Sequence, residues 1–175
     1  MRPLADADRI RRFMQALGTA VNEESRVYFT GGATAVLLGW RSSTIDVDLT
    51  MVPERDRIFR ALAHLKDELH INVELASPAD FIPVASGWEE RSPFIAHEGR
   101  LFFHHFDPYA QALSKIERGH VQDLRDVQEL ISRGLVDPQR ALAYFEQIEP
   151  LLYRYPAIDP ARFRSAVEAV LRPAR

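Results

Sequence analysis

The stretch FTGGATAVLLGWRSSTIDVDLT, Phe29 to Thr50, decides the predicted fold. It begins at the end of a β-like run, which two glycines interrupt. A short apolar run of helical character follows and ends at Gly39. Two aspartates, Asp46 and Asp48, follow inside a second β-like run. Glycine between a strand and a helix lets backbone N–H groups approach a ligand closely, and the start of a helix favours an anion. The order strand, glycine turn, helix and acidic strand therefore predicts an anion-binding turn beside a pair of carboxylates.

The two aspartates are predicted to lie on one face of a strand, because side chains two residues apart in a strand point to the same side. Ile45, Val47 and Leu49 would then face the other side. Two neighbouring carboxylates repel each other unless a cation or solvent compensates their charge. Magnesium prefers hard oxygen ligands, usually one or two carboxylates together with substrate phosphates. Asp46 and Asp48 are therefore candidate ligands of Mg²⁺, and an acidic, solvated edge strand is the alternative reading.

The composition of the whole chain limits the classes of function. Its 175 residues are 46% hydrophobic and 27% charged, which is ordinary for a globular protein. The formal net charge of −3 supplies no overall basic field for nucleic acid, although a local basic groove is compatible with it. The chain has no cysteine, which excludes disulfides and thiolate chemistry and fits a reducing cytoplasm. Neither a signal-peptide core nor an apolar run of membrane-spanning length is found, so we expect no membrane association.

The pattern of elements predicts two parts, residues 1–107 and residues 108–175. In the first part we predict two helices, three strands and a hairpin, over Asp8–Val21, Arg26–Thr30, Ala33–Leu38, Thr44–Thr50, Ile71–Ala76 and Phe94–Phe106. A further helix is predicted to start with Pro53 at its first position and to run to about His70. The second part reads as helices only, over Pro108–Arg118, Val121–Arg133, Pro138–Ile148 and Ala161–Leu171. The predicted fold class is α+β, a small mixed β-sheet core flanked by helices with a C-terminal helical module packed on it.

Lys115 is conspicuous because the positive charge of this chain is carried almost wholly by arginine, with only Lys66 as a second lysine. A lone lysine in a short helix indicates a compact point charge suited to a phosphate. Arg118 follows three residues later, so the two cationic groups can converge on one helix face. Asp123 and Asp126 repeat that spacing on the next predicted helix. Two solvated helix faces would give the same pattern, and the residues alone leave both readings open.

The stretch from Phe29 to Thr50 resembles the polymerase-beta-like nucleotidyltransferase superfamily. The family pattern is a Gly-Gly or Gly-Ser turn, a short helix, and Asp-x-Asp on the next strand. Here it stands as Gly31-Gly32 and Asp46-Val47-Asp48. Arg41, a few residues before the acids, looks like the arginine found there in minimal bacterial members. The resemblance implies a nucleotidyltransferase core.

The same resemblance implies further site residues, and the chain departs from the pattern at two of them. The family places a third carboxylate on a later strand, where Glu74 is the best candidate and Asp80 the reserve, although relatives often have aspartate there. Relatives also often carry Ser or Thr directly after the glycines, where this chain has Ala33. Thr30 or Thr34 would have to supply the hydroxyl, or the backbone alone would serve.

The segment Leu113 to Leu130 looks like the C-terminal helical part of the AbiEii and MenT group of bacterial nucleotidyltransferases. That resemblance implies that Lys115, with Arg118 beside it, contacts the nucleotide phosphates. It implies also that Asp123 or Asp126 completes the site from the helical side. Gln122 stands where an arginine often precedes the aspartate, so the match is partial.

The resemblance implies a metal-dependent enzyme that moves an NMP group from an NTP to a hydroxyl acceptor. The expected ligands of two Mg²⁺ ions are Asp46, Asp48 and Glu74. The glycine turn with Arg41 and Lys115 would bind the triphosphate. The acceptor would be a tRNA end, a protein or a small molecule, and a toxin-like role would add an antitoxin as a protein partner. The alternative is a non-catalytic module of the same fold that binds a nucleotide or a protein.

Overall fold

The computed structural model describes residues 1–172, which form an α+β structure, and the predicted fold class is confirmed. The elements in chain order are α1 (Ala7–Ala20), β1 (Ser25–Thr30), α2 (Gly32–Leu38), β2 (Val47–Val52), α3 (Asp56–Glu68), β3 (Val73–Leu75), β4 (Phe94–Glu98), β5 (Leu101–His105), α4 (Pro108–Arg118), α5 (Val121–Ser132), α6 (Pro138–Ile148) and α7 (Pro160–Leu171). Short 3₁₀ helices lie at Pro78–Asp80 and Glu149–Arg154.

The chain divides into two compact units. The first contains Met1–Ser77 and Ser92–Phe106. The second contains Pro78–Arg91 and the chain from Asp107 onward. The boundary predicted after residue 107 assigns the segment Pro78–Arg91 to the first part. The contacts of this segment instead place it in the second unit.

The first unit is built on a five-stranded mixed sheet in the order β3-β2-β1-β5-β4. The central strand β1 pairs antiparallel with β2 and parallel with β5. The strand β3 adds parallel to β2, and β4 closes an antiparallel hairpin with β5. The glycine turn after β1 and the acids of β2 therefore come from neighbouring strands.

The alternation of side chains on β2 directs one aspartate away from the hydrophobic core. Val47, Leu49 and Met51 are buried in a core that they share with α1 and α3. Asp48 and Thr50 lie between them in sequence and are half-buried. Because side chains alternate between the faces of a strand, the buried set fixes the register and places Asp48 on the opposite face.

Two predicted boundaries around β2 are wrong. The strand begins at Val47, three residues after the predicted Thr44, so Ile45 is 70% exposed and not turned to the core. The reason is that Thr44 forms an isolated bridge with Ala5, through two backbone hydrogen bonds of 2.8 and 2.9 Å, and so pairs with the N-terminal segment. At the other end the ladder with β1 carries β2 on to Val52, and α3 begins only at Asp56, so Pro53 is not its first residue.

The helices of the second unit follow their sequence signals closely. The predicted bounds Pro108–Arg118 and Pro138–Ile148 are confirmed. In α4, α6 and α7 an aspartate N-cap precedes a proline at the first helical position, and its carboxylate accepts backbone N–H hydrogen bonds. Over residues 1–172, none of the helices combines the length and the apolar character needed to cross a bilayer.

Candidate functional site

The glycine turn between β1 and α2 has a backbone that requires glycine at its first position. Gly31 has φ 62° and ψ −129°, a conformation that residues with a Cβ rarely adopt. The helix α2 begins at Gly32, and the N–H of Ala35 donates to the carbonyl of Gly31 at 3.2 Å. The turn thus changes the chain direction within two residues and leaves its backbone uncovered by side chains of its own.

The carboxylate of Asp48 lies directly against this turn. A Cβ built on Gly31 would stand 3.2 Å from Asp48 Oδ2, closer than ordinary van der Waals contact. The antiparallel register explains the approach, because Asp48 is the partner of Thr30, the last residue of β1. The structure therefore brings the glycine turn and one of the two predicted acids together.

Arg41 and Thr44 lie against Gly32, the second glycine of the turn. A Cβ on Gly32 would stand 2.8 Å from Thr44 Cβ, closer still to its hydroxyl, and 3.4 Å from Arg41 Nη1. The guanidinium of Arg41 is therefore beside the turn. Thr44 also lies beside the site, although the sequence predicted only that it belongs to a strand.

Asp46 lies just before β2 and is half-buried. Its Oδ1 accepts a hydrogen bond from the side-chain amide of Asn72, and its backbone carbonyl accepts one of 3.0 Å from the hydroxyl of Thr44. The backbone of Asn72 also accepts the N–H of Val47 at 2.8 Å. Asn72 thus fixes the start of β2 and one oxygen of Asp46. The only sequence signal for this role was its place one residue before β3, which pairs with β2.

Glu74 is the register partner of Asp48 in the parallel ladder between β2 and β3, so both side chains point to the same face. The reserve candidate, Asp80, lies in the 3₁₀ helix Pro78–Asp80 of the second unit. In the part of the chain that the structure describes, no three His, Asp or Glu side chains are grouped closely enough to hold a metal ion. In this conformation Glu74 therefore does not join the aspartate pair in a three-ligand set.

Thr34, a predicted phosphate ligand, has an internal position in the structure. Its side chain is 2% exposed, and its hydroxyl donates to the carbonyl of Phe29 at 3.3 Å. The same hydroxyl shares a hydrogen bond of 3.0 Å with His105 Nδ1. Burial, with a smaller contribution from His104, lowers the pKa of His105 to about 4, so the imidazole is neutral at pH 7. Thr34 and His105 therefore connect α2 to β1 and β5 inside the core. The expectation that the Thr34 hydroxyl contacts a phosphate is corrected, because this hydroxyl is buried and bonds Phe29 and His105.

The charged residues predicted on α4 and α5 form one network in the second unit. Lys115 is 8% exposed, and its Nζ lies 2.7 Å from Asp126 Oδ2 and 3.8 Å from Asp123 Oδ1. Arg118 binds both carboxylate oxygens of Asp123, with its Nε at 2.8 Å from Oδ2. Burial acts to raise the pKa of Asp123, but hydrogen bonding and charge from Arg118, with the charge of Lys115, outweigh it and lower that pKa below its usual value. The network explains why Lys115 is buried, because its charge is compensated by two carboxylates.

Comparison with known proteins places these observations in a family. A family model described as "Nucleotidyltransferase of unknown function (DUF6036)" matches residues 8–156. A solved structure, that of an antigenic nucleotidyltransferase-like protein from Paracoccidioides brasiliensis, is 16% identical with a TM-score of 0.48, over 98% of this chain and 100% of that chain. A search of the curated proteins found no significant match. Because the family model spans the glycine turn, both aspartates and the Lys115 network, the chain belongs to this nucleotidyltransferase family.

Proposed function

We propose that the protein is a magnesium-dependent nucleotidyltransferase that moves an NMP group from an NTP to a hydroxyl acceptor and releases pyrophosphate. The observation that carries the proposal is the approach of the Asp48 carboxylate to Gly31, with the Arg41 guanidinium at Gly32. A glycine turn, a carboxylate and a guanidinium placed side by side are groups that can hold a metal-bound polyphosphate. Membership of the family supports the same activity.

The residues around the turn would bind the triphosphate. The backbone of Gly31 can approach phosphate oxygens closely because this residue carries no Cβ, whereas Thr44 fills the space beside Gly32. Arg41 presents a planar fork of donors that matches two oxygens of one phosphate. The buried hydrogen bonds of Thr34 with Phe29 and His105 hold α2 in place, which keeps the turn rigid when charge is added beside it.

The aspartate pair fits Mg²⁺, which usually takes one or two carboxylates and completes its coordination with water and substrate phosphates. Asp48, with Asp46 two residues before it, would supply these carboxylates, so a set without Glu74 does not argue against the metal. Bound magnesium would neutralise phosphate charge and lower the pKa of an acceptor hydroxyl. Glu74, on the same face as Asp48, is the candidate group to accept the proton of that hydroxyl.

Lys115 and Arg118 would have to exchange existing partners to bind a phosphate. Both already bind carboxylates, Asp126 and Asp123, within the second unit. A phosphate would have to compete with these carboxylates for the same donors. The contact of Lys115 with the nucleotide therefore remains a prediction, as does the closer resemblance to the AbiEii and MenT group.

The acceptor stays open among a tRNA end, a protein hydroxyl and a small molecule. The net charge of −3 does not favour a large RNA by long-range attraction. A toxin-like role in the cytoplasm with an antitoxin partner is the reading that follows from the AbiEii and MenT resemblance. Screening acceptors with an α-labelled NTP would decide among these classes.

A non-catalytic nucleotide-binding module of the same fold is the second candidate. Two observations favour it: Glu74 does not complete a three-ligand group in the described residues, and the Thr34 hydroxyl faces the core. Such a module would bind an NTP with magnesium and transfer nothing to any acceptor class. The enzyme would form a labelled product with at least one of them.

The first experiment measures binding of NTP and Mg²⁺ by thermal shift and calorimetry. Wild type should be stabilised only when both are present, by about 2.7 kcal/mol at a ligand concentration 100 times Kd. The variant Asp46→Ala/Asp48→Ala should lose this response. The matched control is Glu54→Ala/Asp56→Ala, which removes two exposed acids at the same spacing just after β2 and should respond like wild type. If wild type and both variants respond equally, the aspartate pair is not the metal site.

A further inference from the structure

A cleft of about 190 Å³ lies in the second unit, where α4 and α6 pack together. Its lining consists of Arg91, Tyr109, Arg140, Ala143, Tyr144 and Gln147. Five of these six side chains carry a hydrogen-bond donor, and none is a carboxylate. The cleft therefore suits a ligand that accepts hydrogen bonds and carries negative charge.

Both tyrosine hydroxyls of the cleft accept a hydrogen bond from a backbone N–H group. Tyr144 accepts the N–H of Ala85 at 3.0 Å, and Tyr109 accepts the N–H of Asp137 at 3.1 Å. Burial raises the pKa of Tyr144 to about 12, so its hydroxyl keeps its proton at neutral pH. These contacts hold the two rings in place in the lining of the cleft. The rings stack with their centroids 6.3 Å apart.

The two arginines of the cleft differ in how their charge is compensated. Arg91 donates from Nε to the fully buried Asp107 at 2.8 Å and from Nη2 to the carbonyl of Ala85 at 3.1 Å. Arg140 is exposed, and its guanidinium lies 5.4 Å from the centre of the Tyr109 ring. Among residues 1–172, no carboxylate forms an ion pair with Arg140. The net positive charge of the cleft therefore belongs to Arg140, which lies over the Tyr109 ring.

The chain contains an internal comparison for Arg140. Asp137-Pro138-Gln139-Arg140 and Asp159-Pro160-Ala161-Arg162 begin α6 and α7 in the same way. In each, the aspartate cap accepts the arginine N–H, at 2.9 and 3.2 Å. The side chain of Arg162 instead reaches the carboxylate of Glu117 at 3.9 Å. Arg140 and Arg162 therefore have the same backbone environment, but Arg140 lines the cleft and Arg162 does not.

We propose that this cleft binds a phosphate group through the guanidinium of Arg140. A planar fork of donors matches phosphate oxygens, and the Tyr109 ring lies within cation–π distance of it. The volume is below the roughly 300–1,000 Å³ of pockets that enclose a drug-sized ligand, so the cleft holds one charged group and leaves the rest of the ligand outside. The phosphate comes either from a small molecule or from a nucleic acid strand. The inference does not depend on the function proposed for the glycine turn.

Calorimetry on the full chain without Mg²⁺ tests the proposal, with inorganic phosphate, pyrophosphate and a short single-stranded RNA as probes. Arg140→Ala should weaken binding roughly tenfold or more, since a hydrogen-bonded charge is lost. Gln147→Glu, which adds a carboxylate to the cleft, should weaken it similarly and guards against a folding defect in the first variant. Arg162→Ala is the matched control and should bind like wild type.

The pattern of binding identifies the source of the phosphate. Arg140-dependent binding of phosphate or pyrophosphate alone indicates a small ligand, and Arg140-dependent binding of RNA alone indicates a strand. The variant Asp46→Ala/Asp48→Ala should keep this binding, which separates the cleft from the glycine-turn site. If no probe binds, or if the Arg140, Gln147 and Arg162 variants all bind as wild type does, the cleft is not a phosphate site.

Discussion

A methyl group on Gly32 would find no room in this structure. Its Cβ would stand 2.8 Å from Thr44 Cβ and 3.4 Å from Arg41 Nη1. We predict that Gly32→Ala destabilises the protein by about 1–3 kcal/mol, as overpacking does, and also weakens NTP binding because it displaces Thr44, whose hydroxyl donates to the carbonyl of Asp46. Urea unfolding and calorimetry measure the two effects. Gly39→Ala is the control: it meets no atom within 4 Å, costs about 1 kcal/mol through its left-handed backbone, and should leave NTP binding intact.

His105 links the site to pH through its buried imidazole. Its pKa is about 4 in the folded protein and 6.5 when unfolded, so the unfolded chain binds more protons between these values. This contribution to the free energy of unfolding is fully present above about pH 6.5 and falls with pH toward 4, by up to about 3 kcal/mol. Urea unfolding of wild type and His105→Gln at pH 4.5 and pH 7 should show a steeper loss in wild type. His97→Gln removes an exposed histidine and should keep the wild-type profile; equal slopes for all three would contradict the assignment.

At the scale of elements, α1 and the β4–β5 hairpin touch through two glycines. A Cβ on Gly18 would stand 2.6 Å from the carbonyl of Glu98, and Gly99 lies against Gly18 from the hairpin side. Alanine normally stabilises a helix over glycine by about 1 kcal/mol. We predict the opposite sign here, a loss of about 1–3 kcal/mol for Gly18→Ala, because the hairpin must move away from α1. Thermal unfolding would check the sign, with the exposed Thr19→Ala next to it as the control that should gain slightly. If both variants were more stable than wild type, the contact between α1 and the hairpin would adjust to the added methyl group at little cost.

The elements that the sequence predicted well are those with local signals. The Asp-Pro starts of α4 and α6 and the glycine that ends α2 each determine a boundary within a few residues. The start of β2 was missed because it depends on Ala5, which is distant in sequence from its partner Thr44. The same holds within the site: the positions of Asp48 and Arg41 follow from the turn, whereas the bonds of Asp46 to Asn72 and of Thr34 to His105 join residues 26 and 71 positions apart. Pairings of this kind are fixed by tertiary packing and leave no local pattern.

For the whole molecule, the Lys115 network allows stability and ligand affinity to be separated. Removing one partner of a buried ion pair costs about 3–5 kcal/mol, since the other charge is left uncompensated, whereas replacing both by apolar residues is often neutral. We therefore predict that Lys115→Met is strongly destabilised and that Lys115→Met/Asp126→Leu recovers most of the wild-type stability. The recovered variant is the proper test of the predicted phosphate contact, because its fold no longer depends on the lysine.

If Lys115 contacts the nucleotide, Lys115→Met/Asp126→Leu should unfold like wild type in urea and yet bind NTP with Mg²⁺ at least about tenfold more weakly, the loss expected for a hydrogen bond to a charged group. Arg133→Met/Glu129→Leu removes a solvent-exposed ion pair at the C-terminal end of α5 and should change neither quantity by much. Wild-type affinity in the recovered variant would show that the network serves only to join α4 and α5. The phosphates would then be bound by the glycine turn and Arg41, without help from the second unit.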